Sequence, residues 1–251
     1  MFEVTGAPVS PAAAAALIVV RANGRTPQIL LLKRSSAARF MPNAYVFPGG
    51  AVDGEDASDG VYGLCAGLGD VDASERLGLP AGGLKFFVAA VRESFEECGL
   101  LYAYEAAGRM PDLASWPPGR LRELRAALNG GRSGLAALCR EHGWRAAVDR
   151  LIYFSHWITP AHMKRRFDTR FFIARAPQNQ IASLVGEEMS DLIWVEARDA
   201  LANFAAGRLE LMFPTRTLLG QIAAYDDVDA LLDFAQRPRQ ITPIMPTMSD
   251  L

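Results

Sequence analysis

Short runs of β-branched and aromatic residues alternate along this chain with segments whose apolar positions recur at helical spacing. The runs at 16–21, 29–33, 44–47, 151–159, 167–174 and 192–195 predict strands. Helices are predicted over Leu84–Cys98, stopped by Gly99, and over 119–128, 134–141, 196–206 and 217–225. Strands and helices that mix without regular βαβ alternation predict an α+β protein with a mixed sheet. Residues 57–83, rich in Gly, Asp and Ala, read as one long loop. Residues 116–150 have leucines at helical spacing and glycine-marked breaks, and read as an added helical piece. The tail from Arg237, with three prolines, reads as extended.

At 251 residues, half of them hydrophobic, the chain has enough apolar material for one elaborated domain, and residues 1–251 are expected to form it. The formal net charge of -2 supplies no basic field for a duplex nucleic acid, so any phosphate chemistry must be local. Cys65, Cys98 and Cys139 form no C-x-x-C pair and leave an odd count, which fits packing residues in a reducing compartment. The apolar run 12–20 is too short to span a bilayer, and no basic segment precedes it as in a signal peptide. No membrane partner is expected, and the cytoplasm is the default location.

The helix Leu84–Cys98 separates into two faces. Leu84, Phe87, Val88, Val91, Phe95 and Cys98 share one; Glu93, Glu96 and Glu97 lie opposite within an arc of roughly 100°, flanked only by Ala89 and Ala90. An ordinary solvated acidic face fits poorly here. Glu93 and Glu97 form a like-charge i,i+4 pair costing ~0.2–0.5 kcal/mol. Glu96 and Glu97 occupy the last turn, where the helix dipole disfavours anions. A divalent cation would neutralise them, and oxygen-only ligands favour magnesium or manganese over zinc.

These residues carry a family resemblance. Residues 92–100, Arg-Glu-Ser-Phe-Glu-Glu-Cys-Gly-Leu, resemble the second half of the Nudix box, R-E-U-x-E-E-x-G-U with U aliphatic. Residues 47–56, Phe-Pro-Gly-Gly-Ala-Val-Asp-Gly-Glu-Asp, resemble its first half, G-x5-E. There are two departures. Asp56 stands at the acidic position, with Glu55 beside it as an alternative, and residues 57–91 separate it from Arg92 where the family pattern has seven residues. The extra length is expected to bulge out before the helix without moving the carboxylates. The resemblance implies a Nudix fold, a mixed sheet sandwiched between helices, and a pyrophosphohydrolase dependent on magnesium or manganese. It implies that Glu93, Glu96 and Glu97 bind metal, that Gly50 offers its carbonyl to the same ions, and that Arg92 holds Glu93. A late-loop base would be Glu187 or Glu188.

Upstream, Leu31-Leu32-Lys33-Arg34-Ser35, Arg39 and Phe47 resemble the signature preceding the box in Nudix coenzyme A diphosphatases, with Leu32 and Asn43 departing from it. Residues 40–44 and 166–172 are similar to the peroxisomal Nudix acyl-coenzyme A diphosphatases of animals. The implied substrate is a small nucleotide, coenzyme A or its acyl form, cut to 3′,5′-ADP and (acyl-)phosphopantetheine. Arg34, Ser35, Arg39 and Phe47 would line its site, and two arginines suit a 3′-phosphate. A basic strand end facing solvent is the plainer explanation. An ADP-ribose or nucleotide-sugar pyrophosphatase and a non-catalytic Nudix ligand sensor are the alternatives, and a homodimer stays open as the assembly. His142, His156 and His162 lack metal-ligand spacing and read as structural; Lys164, Arg165 and Arg166 read as a solvated turn or a phosphate contact.

Overall fold

The computed structural model describes residues 9–38 and 41–247. The chain opens with strands β1 (Ala12–Asn23), β2 (Thr26–Arg34), β3 (Tyr45–Val46) and β4 (Gly49–Ala51), followed by helices α1 (Asp59–Tyr62), α2 (Asp70–Leu77) and α3 (Leu84–Cys98). Next come β5 (Ala103–Tyr104), α4 (Pro118–Asn129), α5 (Leu135–His142) and β6 (Arg145–Ala146). The chain closes with β7 (Ile152–Ile158), β8 (Phe167–Arg175), β9 (Met189–Glu196), α6 (Ala197–Ala205), α7 (Phe213–Ile222) and α8 (Val228–Gln236).

The main sheet is mixed, in the order β3-β2-β1-β8-β7, with β9 beside β2 and β4 beside the first half of β1. β1 pairs with β8 in parallel and antiparallel with both β4 and β2, one after the other along the same edge. Its side chains alternate between two cores. Ala15, Leu17 and Val19 pack under α3, whereas Ala16, Ile18 and Val20 pack under α6, α7 and α8; Leu30/Leu32 and Ile29/Leu31 of β2 divide the same way. The sheet is therefore sandwiched between helices, as the α+β reading anticipates.

Several boundaries moved, each for a local reason. β1 begins at Ala12, before its β-branched run, because β4 and β8 flank its alanines; pairing outweighs propensity here. β4 was not anticipated, because a Gly-Gly step carries no strand signal. At Gly49 a Cβ would stand 2.4 Å from the Ala15 carbonyl oxygen, so only glycine permits this pairing distance. α8 was also missed, although Asp227 caps it by accepting from the Ala230 N–H.

The expectation of a bulging loop at 57–83 is corrected. The segment folds as α1 and α2 and buries Val61, Cys65, Leu68, Ala73 and Leu77 in the core under α3. It also caps α3: Asp70 accepts from the N–H groups of Gly82 and Leu84, and Ser74 Oγ accepts from Gly83 N–H. The 116–150 segment forms α4 and α5 as expected. The tail is extended but attached, since Ile244 exchanges backbone hydrogen bonds with His156 and Ile158 of β7. Among the described residues no helix is long and apolar enough to cross a membrane.

Candidate active site

α3 runs over the span its periodicity predicts and ends at Gly99, whose φ of 76° allows the left-handed cap. Its polar face meets β4. Arg92 is buried there and uses all of its nitrogens. Nε and Nη2 fork on to Asp56 at 2.9 Å each, Nη2 also reaches the Ala51 carbonyl at 2.9 Å, and Nη1 donates to Glu93 at 2.9 Å and Glu96 at 3.1 Å. Burial works against the Arg92 charge, but Asp56, Glu93 and Glu96 more than offset it and raise its pKa. The acidic position of the motif is thereby decided. Asp56 is 1 % exposed and pairs with Arg92, whereas Glu55 is exposed and lies against the backbone of Gly134.

The glycines bring the backbone against these carboxylates. A Cβ on Gly50 would stand 2.3 Å from Glu93 Oε1, and Gly49 N–H donates to Glu97 Oε2 at 2.8 Å. Burial pushes the Glu93 carboxyl up to about 7, with Arg92 opposing and Glu96 adding to the rise. Burial likewise raises Glu96. Glu97 is raised well above the usual carboxylate range, by burial first and then by Glu93; the Gly49 N–H and Arg34 oppose this, and Glu188 adds to it. Three carboxylates, those of Asp56, Glu93 and Glu96, thus bond to a single guanidinium, and Glu97 stands beside them on the Gly49 N–H. Among the described residues no three His, Cys, Asp or Glu side chains converge on one point, because Glu93 and Glu96 are turned to Arg92 and Glu97 to Gly49. The surplus negative charge and the oxygen-only donors nevertheless fit a hard divalent cation.

Other anticipated residues scatter. Arg34 and Glu188 lie close enough to act electrostatically on Glu97. Ser35 closes a turn: its N–H donates to the Glu188 carbonyl and its Oγ accepts from Ala37 N–H. Glu187 is exposed. Phe47, only 3 % exposed, packs edge-on to Phe171 in the core under α6–α8, so its ring offers a ligand no surface. Arg39 lies outside the described residues. His142 stacks with Trp144, and His156 meets Asp168 and Arg170. Arg166 is buried, where a solvated turn was one expectation, because it ties the Thr159 and Val9 carbonyls together. Sequence reading passed over Arg125 of α4, which reaches the end of α3; nothing in its local pattern separates it from the exposed Arg122.

The family model of the NUDT19 Nudix domain matches residues 71–216, which include α3. A putative nudix hydrolase 7 of Caenorhabditis elegans is 30% identical over 228 residues, covering 90% of this chain and 65% of that protein. The acyl-coenzyme A diphosphatase NUDT19 of Xenopus laevis is 26% identical over 237 residues, covering 82% of this chain and 62% of that protein. The chain thus spans just under two thirds of the length of these relatives. A crystal structure of a Nudix hydrolase from Alicyclobacillus acidocaldarius superposes with a TM-score of 0.74 at 26% identity, covering 89% of this chain and 96% of that one. With its motif, its sandwich of helices around a mixed sheet and these matches in agreement, the chain belongs to the Nudix family, in the NUDT19 branch.

Proposed function

We propose that this protein is a divalent-metal-dependent pyrophosphohydrolase that cuts coenzyme A or acyl-coenzyme A into 3′,5′-ADP and (acyl-)phosphopantetheine. The observation that carries the reading is the gathering of Asp56, Glu93 and Glu96 around Arg92, with Glu97 next to them on the N–H of the Gly49-Gly50 step. Glu93, Glu96 and Glu97, with the Gly50 carbonyl, would hold magnesium or manganese. When bound, such an ion offsets charge on the phosphates and makes an attacking water more acidic. Arg92 orients Glu93 and Glu96 through Nη1, and Asp56 keeps the guanidinium in place. Glu187 or Glu188, in the late loop, would accept the proton of the attacking water, with Glu97 beside them as a metal ligand. Arg34 and Arg39 serve the 3′-phosphate, Ser35 lines the same substrate site, and Phe47 supports it only by packing. We read residues 1–251 as one Nudix domain, with 57–83 and 116–150 as insertions. The three free, buried thiols fit a reducing compartment such as the cytoplasm.

Substrate choice is supported by Arg34 near Glu97 and by relatives that bear the name acyl-coenzyme A diphosphatase. The test is a product assay over coenzyme A, acyl-coenzyme A, ADP-ribose, NADH and nucleotide sugars, with magnesium or manganese. Release of 3′,5′-ADP from coenzyme A or its acyl form is expected. Cleavage of ADP-ribose alone would discard the substrate, and binding without cleavage of any compound would discard the enzyme.

A further inference from the structure

Arg125 is the most deeply buried charged side chain described, at 0 % exposure, and it lies in the helical insertion rather than in the motif. Its Nη2 donates to the Glu96 carbonyl at 3.0 Å and its Nη1 to Ser183 Oγ at 3.1 Å. The end of a helix leaves its last carbonyls without intrahelical partners. In α3 these are shared out: Gly99 N–H takes the Phe95 carbonyl, Arg125 that of Glu96, and Ser183 N–H that of Cys98. The guanidinium sits so close that a Cβ on Gly99 would meet it at 3.0 Å. Burial lowers the Arg125 pKa to about 10, opposed by Cys98 and Glu97, so the group remains a cation at neutral pH. A cation at a helix C-terminus offsets the negative end of the dipole, where Glu96 and Glu97 stand.

One side chain therefore bridges three pieces: the insertion, the last turn of α3, and the segment 183–188 that leads to Glu187 and Glu188. That segment is anchored at its other end by Ser35 N–H on the Glu188 carbonyl. We propose that Arg125 is a positioning residue, which locks the turn bearing Glu96 and Glu97 to the segment bearing Glu187 and Glu188. The helical insertion is then part of the machinery that aligns the carboxylates. For its effect on turnover this rests on the hydrolase reading above; the coupling itself does not.

The test has two arms. In the metal-free protein, amide hydrogen exchange at Ser183 reports the bond to Cys98, and R125M is expected to speed it at least tenfold while Val91, in the middle of α3, keeps its protection. In the active enzyme R125M is expected to lower kcat per folded molecule by about 10- to 100-fold, since small misplacements near the chemistry have such effects, with KM within threefold of wild type. S183A, which removes one acceptor, is expected to act in the same direction more weakly, and to add nothing once R125M is present. If R125M does not fold, S183A decides alone. Unchanged Ser183 exchange, or a lower melting temperature with wild-type kcat per folded molecule, overturns the proposal. A wild type that cleaves no phosphoanhydride removes the hydrolase reading and leaves the exchange arm to judge the coupling.

Discussion

Asp56 and Arg92 stand on opposite sides of the 57–91 segment and meet in a two-pronged ion pair, Nε to Oδ1 and Nη2 to Oδ2, both at 2.9 Å. Both side chains are nearly inaccessible to water. Asp56→Ala leaves Arg92 Nε and one face of Nη2 buried without their acceptor while Glu93 and Glu96 still hold Nη1, so it should cost about 1–3 kcal/mol of folding stability. Chemical denaturation checks this. A loss below about 1 kcal/mol would mean that water or Asp53 replaces the carboxylate, and the central role given to the pair would not stand.

Glu97→Gln separates charge from shape, because the amide oxygen can still accept from Gly49 N–H. Under the proposed function the variant should lose turnover by about 10²- to 10⁴-fold. Its metal-free form should unfold no more easily than wild type at pH 8, because burial already disfavours the Glu97 charge. Steady-state kinetics with thermal denaturation reads both. A variant that keeps more than half of the wild-type rate would remove Glu97 from the chemistry.

The insertion is expected to matter for stability through its caps. Asp70→Ala frees the N–H groups of Gly82 and Leu84 at the start of α3 and should cost about 1–2 kcal/mol, in the range for a lost helix cap. Deleting 57–83 outright also removes Leu68, Leu77 and Val61 from the core, and the remainder is expected not to fold. A soluble deletion protein that unfolds cooperatively at the wild-type midpoint would show that the insertion is dispensable.

A pH effect is expected at the β7–β8 pair. Burial pushes Asp168 up, but His156 and Arg170 outweigh it and hold its carboxyl below the usual value. A depressed carboxylate binds fewer protons folded than unfolded, so its contribution is present above the unfolded value of about 3.8 and is lost as pH falls through the folded value. Wild type should therefore exceed Asp168→Asn in stability at neutral pH, and the gap should close on acidification below about pH 4. A gap that is constant from pH 7 to pH 3 would assign it to packing instead.

Arg34→Ala addresses substrate choice. If the guanidinium holds the 3′-phosphate, preference for coenzyme A over dephospho-coenzyme A should weaken by about 1–3 kcal/mol, the range for a charge-assisted contact. Turnover of the dephospho compound should barely move. Equal losses on both compounds would place Arg34 on the pyrophosphate or in the fold, consistent with its influence on Glu97.

Read along the chain, the features that could be seen were those written in local spacing. The limits of α3 follow from apolar positions at helical period and a glycine that can adopt the left-handed cap, and its three glutamates share a face because 3.6 residues make a turn. Strands β7, β8 and β9 likewise declared themselves through β-branched and aromatic runs. What local pattern could not decide was which neighbour each side chain would meet. Glu55 and Asp56 are adjacent on one short turn, and only the docking of that turn beside Arg92 sends one inward and the other out. Helices of four and eight residues, as in α1 and α2, are too short to be stable alone; they exist because α5 gives α1 a surface to bury Val61 and α3 gives α2 one to bury Ala73 and Leu77. That the Phe47 ring would lie in the core under α6–α8 could not be read from its place in the motif, because only the packing of the sheet on those helices decides it. Arg125 was invisible for the same reason. A guanidinium in a helix reads as solvent-facing until the packing of α4 on α3 places unsatisfied carbonyls beside it, and desolvation then makes those bonds matter.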